Sequence, residues 1–135
     1  MGGSPDDNAH PGCHDGRMRT LLIVDDHAGF RRAAREALED EGYAVVGEAG
    51  TGAEALASVD RLRPDVILLD VQLPDMTGFQ VADRLPAPAP LIVLISSRPA
   101  SEYRQRLTTT SAAGFIPKED LTGAAIERVL GRIDR

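Results

Sequence analysis

Two short runs of aliphatic residues, at positions 21–24 and 66–69, each lead directly into acidic residues. Such runs are typical of strands buried on both faces of a parallel sheet, and they restrict the fold more than any other feature of this chain. Asp25 and Asp26 follow the first run, and Asp70 follows the second. Because parallel strands deliver their carboxyl ends to one edge of a sheet, we expect the three carboxylates to converge there. They would repel one another in a partly dry crevice, so the pattern predicts a bound cation or shared protons.

The size and charge of the chain exclude several classes of protein. Its 135 residues correspond to one domain, and its net charge of -6 argues against a binder of nucleic-acid backbones, which needs clustered Lys and Arg. No apolar stretch approaches the roughly 20 residues of a membrane helix, and the amino terminus lacks the apolar region of a signal peptide. Cys13 is the only cysteine, so the chain cannot form an internal disulfide. We therefore expect a cytoplasmic protein that contacts neither a membrane nor nucleic acid directly.

The rest of the sequence alternates short aliphatic runs with amphipathic stretches, which is typical of βα units around a parallel sheet. The pattern predicts strands at residues 20–24, 43–47, 65–69, 91–95 and 114–117. The predicted helices cover residues 28–41, 51–62, 77–85, 100–107 and 121–133. Thr51 and Glu54 form a capping-box pattern at the start of the second helix. Residues 1–18 are too polar to bury a core and are expected to form a disordered tail, which leaves one domain at residues 19–135.

Two further strands also end in polar residues, because Ser96 and Ser97 follow the run at 91–95 and Lys118 follows the run at 114–117. Four motifs occur in order: Val-Asp-Asp at 24–26, Asp-Val-Gln-Leu-Pro-Asp-Met-Thr-Gly at 70–78, Ile-Ser-Ser at 95–97 and Gly-Phe-Ile-Pro-Lys at 114–118. With this set the chain resembles, over residues 19–134, the receiver domain of two-component response regulators, in the CheY-like superfamily. The resemblance implies an α/β, flavodoxin-like fold: a (βα)5 three-layer sandwich with a parallel sheet of strand order 2-1-3-4-5.

The resemblance also implies a role for each polar residue at the sheet edge. Asp70 is the phosphoacceptor, and Lys118 and Ser96 pair with phosphoryl oxygens. The residues expected to bind Mg²⁺ are Asp25, Asp26, Asp70 and, through its backbone carbonyl, Gln72. Ser96 and Phe115 are the expected switch residues, whose movement changes the face formed by helix four, strand five and helix five. The chain would then be a phosphoacceptor with self-catalysed transfer and autodephosphorylation rather than a conventional enzyme.

The implied partners are a sensor histidine kinase or histidine phosphotransfer protein, and a downstream effector protein or a missing output domain. Pro117 before Lys118, together with the Asp26-His27 pair, is similar to the branch of receivers joined to helix-turn-helix output domains. No such domain is expected within these 135 residues. Phe115 stands where the family often has Tyr, so switching would depend on packing without that hydroxyl. A homodimer through the face of helices four and five is left open.

Two other functions remain open from the sequence. A pseudo-receiver would use the same face for protein contacts without phosphorylation, although the intact acidic residues, Ser96 and Lys118 argue against it. A haloacid-dehalogenase-like phosphatase also uses an Asp nucleophile after a strand, but it needs a second Asp two residues later, where this chain has Gln72. His27 is interpreted as a helix-start residue because Mg²⁺ prefers oxygen donors. The arginines of helix one are interpreted as its solvent face or, alternatively, as a kinase contact: Arg31, Arg32 and Arg35.

Overall fold

Five parallel strands form one sheet flanked by five α-helices in a computed structural model, which describes residues 13–14 and 17–131. The strands are β1 Thr20–Val24, β2 Ala44–Ala49, β3 Val66–Asp70, β4 Leu91–Ser96 and β5 Gly114–Pro117. The helices are α1 Ala28–Asp40, α2 Gly52–Leu62, α3 Gly78–Arg84, α4 Arg104–Thr109 and α5 Gly123–Gly131. Short 3-10 helices cover Ala100–Tyr103 and Lys118–Asp120. The strands lie in the order β2-β1-β3-β4-β5, which confirms the predicted order 2-1-3-4-5.

The central strands are buried because helices cover both faces of the sheet. All five residues of β3 and the last four of β1 are buried, as their aliphatic sequences predict. One hydrophobic cluster packs Leu21 and Leu68 with residues of α1 and α5, and a second packs Leu22 and Ile67 with residues of α2 and α3. Successive strand residues therefore enter opposite cores, as the pleat of a strand requires. The result is the three-layer, flavodoxin-like sandwich that was expected.

The register of the strands brings their carboxyl ends to one edge. Val24 lies opposite Leu69 across the β1–β3 pair. Asp70 lies opposite Ile95 across the β3–β4 pair, and the ladder continues from β4 to β5, where Ser96 is paired with Pro117. The residues that end or follow four of the five strands are thus neighbours in space.

Most element boundaries differ from the prediction by one or two residues, and two of the differences have a clear local description. β2 begins one residue later than predicted because the Tyr43 N–H donates to the Leu38 carbonyl (3.0 Å) and closes the end of α1. Helix four begins as the 3-10 helix and becomes α-helical only at Arg104, then continues to Thr109, two residues beyond its predicted end. The predicted end of α5 at residue 133 lies outside the described residues.

Helix caps follow the predicted chemistry in part. Thr51 caps α2, since its hydroxyl accepts from the Glu54 N–H (3.0 Å). The Glu54 carboxylate does not complete a capping box but accepts from the Gly50 N–H (2.8 Å). A complete box occurs at α3, where no cap was predicted: Thr77 accepts from the Gln80 N–H (3.1 Å) and Gln80 accepts from the Thr77 N–H (2.9 Å).

Within the stretch predicted as a disordered tail, Cys13–His14 pairs with Arg17–Met18 as a short antiparallel ladder. The remainder of the predicted tail, residues 1–12 and 15–16, lies outside the described residues. Over the described part of the chain, no helix combines the length and apolarity needed to cross a membrane.

The glycine at the start of α3 provides a test of the packing around Asp70. A Cβ added at Gly78 would lie 2.5 Å from the Asp70 carbonyl oxygen and 3.1 Å from Val71 Cα. Gly78→Ala should therefore lower the free energy of unfolding by about 1–3 kcal/mol, the usual cost of overpacking. A Cβ at Gly29 in α1 meets no atom within 4 Å, so Gly29→Ala should leave stability unchanged or raise it by up to about 1 kcal/mol. Urea denaturation followed by circular dichroism measures both, and equal losses in the two variants would contradict this explanation.

Candidate functional site

The carboxyl edge of the sheet gathers acidic, hydroxyl and amine groups. Asp25 follows β1 directly, while Asp70 and Ser96 are the last residues of β3 and β4. Lys118 follows β5 and opens a 3-10 helix. The side chains of Asp25, Asp70 and Lys118 are in direct contact. Asp25 and Asp70, two of the three carboxylates expected to converge, therefore meet at Lys118.

The Lys118 ammonium lies between two buried carboxylates. Its Nζ atom contacts Asp25 Oδ2 and lies 3.2 Å from Asp70 Oδ2. The Asp25 side chain is fully buried and that of Asp70 is 5% exposed, so little water screens these contacts. The Phe30 ring lies 4.7 Å from the same ammonium and adds an aromatic face. Lys118 thus holds the ends of three strands together by charge.

Burial and neighbouring charges set the protonation of this cluster. The pKa of Asp70 is raised to about 6, chiefly by burial and also by the negative charge of Asp25, although the Gln72 N–H and Lys118 act to lower it. Burial acts to lower the pKa of Lys118, but its hydrogen bonds and charge interactions with Asp25 and Asp70 outweigh this and raise it. Lys118 is therefore an ammonium, and Asp70 pays a desolvation penalty whenever it is ionised.

Asp25 and Asp26 differ in exposure although they are adjacent. Asp25 Oδ1 accepts from the His27 N–H (2.8 Å), and the Asp25 N–H donates to the Ala49 carbonyl (3.0 Å), so this residue is fixed. The Asp26 side chain is 36% exposed and its Oδ1 atom lies 3.0 Å from His27 Nδ1. The same ring nitrogen lies 3.2 Å from Asp25 Oδ1. Asp26 is therefore the acid of the pair that solvent reaches.

The donor set fits a hard divalent cation. Potential ligand atoms of Asp25, Asp26 and His27 all lie within 4.8 Å of one another. His27 is the residue that precedes α1, as interpreted from the sequence, although its ring also reaches both acids. Lys118 contacts two of the three carboxylates, those of Asp25 and Asp70, and carboxylate oxygens are the ligands that Mg²⁺ prefers. Asp70, also expected to bind Mg²⁺, is joined to this group through Lys118.

The loop after Asp70 is anchored at several points. The Gln72 N–H donates to Asp70 Oδ1 (3.2 Å). Gln72, whose backbone carbonyl is a predicted Mg²⁺ ligand, therefore lies next to Asp70. Asp75 accepts from the Gly52 and Ala53 N–H groups (2.7 and 2.9 Å) at the start of α2, and these bonds lower its pKa. The loop between β3 and α3 is therefore held against α2. Asp75 belongs to the motif at 70–78, but the sequence analysis assigned it no role.

Ser96 is buried but does not join the charged cluster. Its Oγ atom accepts from the Arg98 N–H (3.0 Å) and lies 3.0 Å from the Tyr103 hydroxyl, while the side chains of Asp70 and Lys118 make no hydrogen bond to it in the described part of the chain. Phe115, the other predicted switch residue, is half-buried with its ring centroid 5.9 Å from that of Tyr103. Tyr103 was missed by the sequence analysis. The available signal was an aromatic residue in an otherwise polar segment at 97–106.

Comparison with curated proteins places the chain in a family. Residues 21–129 match the family model described as "Response regulator receiver domain". A putative transcriptional regulator of Pseudomonas aeruginosa is 37% identical over 106 residues, which cover 76% of this chain and 51% of the relative. The virulence factors putative positive transcription regulator BvgA of Bordetella pertussis is 35% identical over 102 residues, which cover 74% of this chain and 49% of the relative. The chain thus spans about half the length of these relatives.

Solved structures agree with this assignment. The signal receiver domain of the putative response regulator NarL from Mycobacterium tuberculosis is 34% identical with a TM-score of 0.70, and the alignment covers 86% of this chain and 99% of that one. A CheY-like response regulator receiver domain protein from Methanospirillum hungatei is 25% identical with a TM-score of 0.73, covering 86% and 94% of the two chains. The sequence motifs, the strand order and these similarities agree: this chain belongs to the family of response regulator receiver domains of two-component systems.

Proposed function

We propose that this receiver accepts a phosphoryl group on Asp70 in a Mg²⁺-dependent reaction and, in response, changes the surface formed by α4, β5 and α5. The observation that supports the proposal most strongly is the position of Asp70. One of its oxygens is held by the Gln72 N–H and the other by Lys118, in a pocket that also contains Asp25. The carboxylate is thus fixed at the sheet edge, and a group that can stabilise phosphoryl charge is already beside it.

The chemistry requires a nucleophile and stabilisation of the transferred group. An Asp70 oxygen attacks the phosphorus of a phosphohistidine on the partner. The new O–P bond forms as the P–N bond breaks, and the electron pair of that bond returns to the imidazole. Lys118 then pairs with a phosphoryl oxygen, and the Ser96 hydroxyl turns to donate to another. Attack of water on the acyl phosphate would later release inorganic phosphate and regenerate Asp70.

The acidic residues of the pocket supply the cation site. When bound, Mg²⁺ would neutralise charge on the carboxylates and on the phosphoryl oxygens. Asp25, Asp26, Asp70 and the backbone carbonyl of Gln72 are the groups that would hold it. Asp26 is the most exposed of the three acids and offers the open side of the site. Asp25 is fixed by its hydrogen bond from the His27 N–H, so its buried carboxylate has a defined position in the pocket.

The partners follow from this chemistry. The phosphodonor would be a sensor histidine kinase or histidine phosphotransfer protein in the cytoplasm, and the chain would be a phosphoacceptor rather than a conventional enzyme. The output would pass to an effector protein or to an output domain, without direct contact of the receiver to nucleic acid or membrane. The names of the longer relatives support an output domain, since they include transcription regulators and a protein-glutamate methylesterase/protein-glutamine glutaminase of Alkalilimnicola ehrlichii. A homodimer through α4, β5 and α5 is compatible with this function.

The phosphoacceptor role of Asp70 is tested by direct labelling. Incubation of the protein with Mg²⁺ and acetyl phosphate should give a phosphoryl adduct that is stable in acid and labile in base, as an acyl phosphate is. The adduct should disappear in Asp70→Asn, because the amide is not a nucleophile, and persist in Asp83→Asn, which changes an exposed acid of α3 in the same way. Intact-protein mass spectrometry measures both.

A phosphoryl adduct that persists in Asp70→Asn would show that another residue is the phosphoacceptor. A wild-type protein that takes no phosphoryl group from acetyl phosphate or from a histidine kinase would favour the pseudo-receiver function instead. In that case the α4, β5 and α5 surface would act in protein contacts without a covalent switch.

The cation site is tested by its effect on stability. Mg²⁺ at ten times its dissociation constant should raise the free energy of unfolding by about 1.4 kcal/mol, because it binds the folded state alone. Asp26→Asn should abolish most of this increase by removing the exposed ligand. Asp60→Asn should keep it, since Asp60 is an exposed acid of α2 whose nearest cationic partner, Arg63, lies 3.8 Å away. Urea denaturation with and without Mg²⁺ measures the effect, and an equal increase in all three proteins would contradict the proposed site.

A further inference from the structure

Tyr103 connects the buried hydroxyl of Ser96 to α4, the α-helix without a fully buried residue in the described part of the chain. Its hydroxyl lies 3.0 Å from Ser96 Oγ, and its ring lies between Phe79 and Phe115 with centroid distances of 5.9 Å to each. Tyr103 ends the 3-10 helix that leads into α4. A change at Ser96 is therefore transmitted to the start of α4 through one side chain.

The hydroxyl of Ser96 is held by two contacts from the segment that follows β4. It accepts from the Arg98 N–H and bonds to the Tyr103 hydroxyl, both at 3.0 Å. A serine side chain occupies one of three staggered rotamers, so turning its hydroxyl toward a phosphoryl group on Asp70 moves the oxygen out of reach of its present partners. The Tyr103 bond must then break.

Tyr103 also occupies the space beside Phe115. The two rings are in contact at a tilt of 51°, and Phe115 is half-buried. Phe115 has no hydroxyl and can respond only by filling volume. Because the Tyr103 ring lies beside Phe115 and its hydroxyl reaches Ser96, an inward movement of Phe115 toward Ser96 would compete with Tyr103 for space.

The segment that carries Tyr103 is able to move. Within the 3-10 helix and α4 no residue is fully buried. Leu107 is the residue of α4 that packs, half-buried, against the core, and Arg106 lies over the Phe79 ring at 4.7 Å. A crevice of about 430 Å³ lies next to this segment, lined by Ser96, Arg98 and Lys118 among others. Few contacts oppose a displacement of this segment.

We propose that Tyr103 is a positioning residue that holds Ser96 in its unphosphorylated orientation, and that release of Tyr103 links phosphorylation to the movement of α4. This inference rests on the proposed function of Asp70. It assigns the hydroxyl of the switch to the 3-10 helix that leads into α4, because β5 carries Phe115 in place of an aromatic residue with a hydroxyl. The hydrogen bond to Ser96 stabilises the inactive orientation, and a phosphoryl group on Asp70 competes for the same serine.

The restraint is tested with beryllofluoride and Mg²⁺, a mimic of the phosphoryl group on Asp70. Tyr103→Phe removes one hydroxyl and should tighten beryllofluoride binding about fivefold, which corresponds to about 1 kcal/mol. Tyr43→Phe is the matched control, since the other tyrosine also forms a side-chain hydrogen bond, to Glu127, but in the opposite core. It should leave the affinity unchanged. Isothermal titration calorimetry gives the affinities.

Two further measurements separate this role from a general loosening of α4. In a Ser96→Ala background, Tyr103→Phe should have no further effect on affinity, because the bond it removes is already absent. Incorporated 3-fluorotyrosine provides one ¹⁹F signal for each of the two tyrosines, assigned by the Phe variants. Beryllofluoride should shift the Tyr103 signal and leave the Tyr43 signal in place.

The outcomes distinguish the two proposals. If wild-type protein does not bind beryllofluoride, or Asp70→Asn binds it equally well, the function proposed for Asp70 fails. If wild-type protein binds it through Asp70 but Tyr103→Phe binds equally or more weakly, the Tyr103 restraint is wrong. A tightening of equal size in the Ser96→Ala background, or an unchanged Tyr103 signal, would also overturn the restraint while leaving the phosphoacceptor role intact.

Discussion

The contact of Lys118 with Asp25 and Asp70 is the interaction on which the rest of this site depends. Two buried carboxylates at the end of a sheet would repel each other strongly, and burial together with the charge of Asp25 raises the pKa of Asp70 to about 6 even against the lowering effect of Lys118. One ammonium between them offsets this repulsion and joins β1, β3 and β5. Since Asp26 adds a third acid, the pocket remains negative. The folded protein therefore retains an attraction for a further cation.

The stability of the sheet offsets the unfavourable electrostatic free energy of this group of charged residues. Every residue of β3 is buried, and the strand is paired on both sides, so Asp70 is fixed by the register that aligns it with Ile95. The loop that follows is held by Asp75 at α2 and by the capping box at α3. Burial of apolar strands thus provides the free energy, and the hydrogen-bonded loop provides the geometry, for a site that is electrostatically unfavourable by itself.

The sequence predicted those parts of the structure that depend on local pattern. Aliphatic runs located the five strands to within two residues, and the acids that follow β1 and β3 converge as the parallel topology requires. Features that depend on packing between elements were missed. Glu54 has the spacing of a capping box but accepts from Gly50. The Tyr103–Ser96 bond joins the end of β4 to a 3-10 helix across an intervening loop, where neither a helical nor a strand periodicity applies. The Thr77 and Gln80 box was visible in the sequence and overlooked.

The strength of the Tyr103–Ser96 hydrogen bond fits the proposed role of Tyr103, which is to restrain Ser96 until Asp70 is phosphorylated. A neutral hydrogen bond contributes about 1 kcal/mol, whereas hydrogen bonds to a charged group contribute about 1.5–3 kcal/mol each. A phosphoryl group that offers a charged oxygen to Ser96 would therefore outcompete Tyr103, yet the neutral bond still favours the unmodified orientation in its absence. An ion pair at the same place would resist release, and an apolar contact would not report the orientation of Ser96. The Tyr103 hydroxyl, on the 3-10 helix that leads into α4, makes a contact with Ser96 that is both specific and reversible.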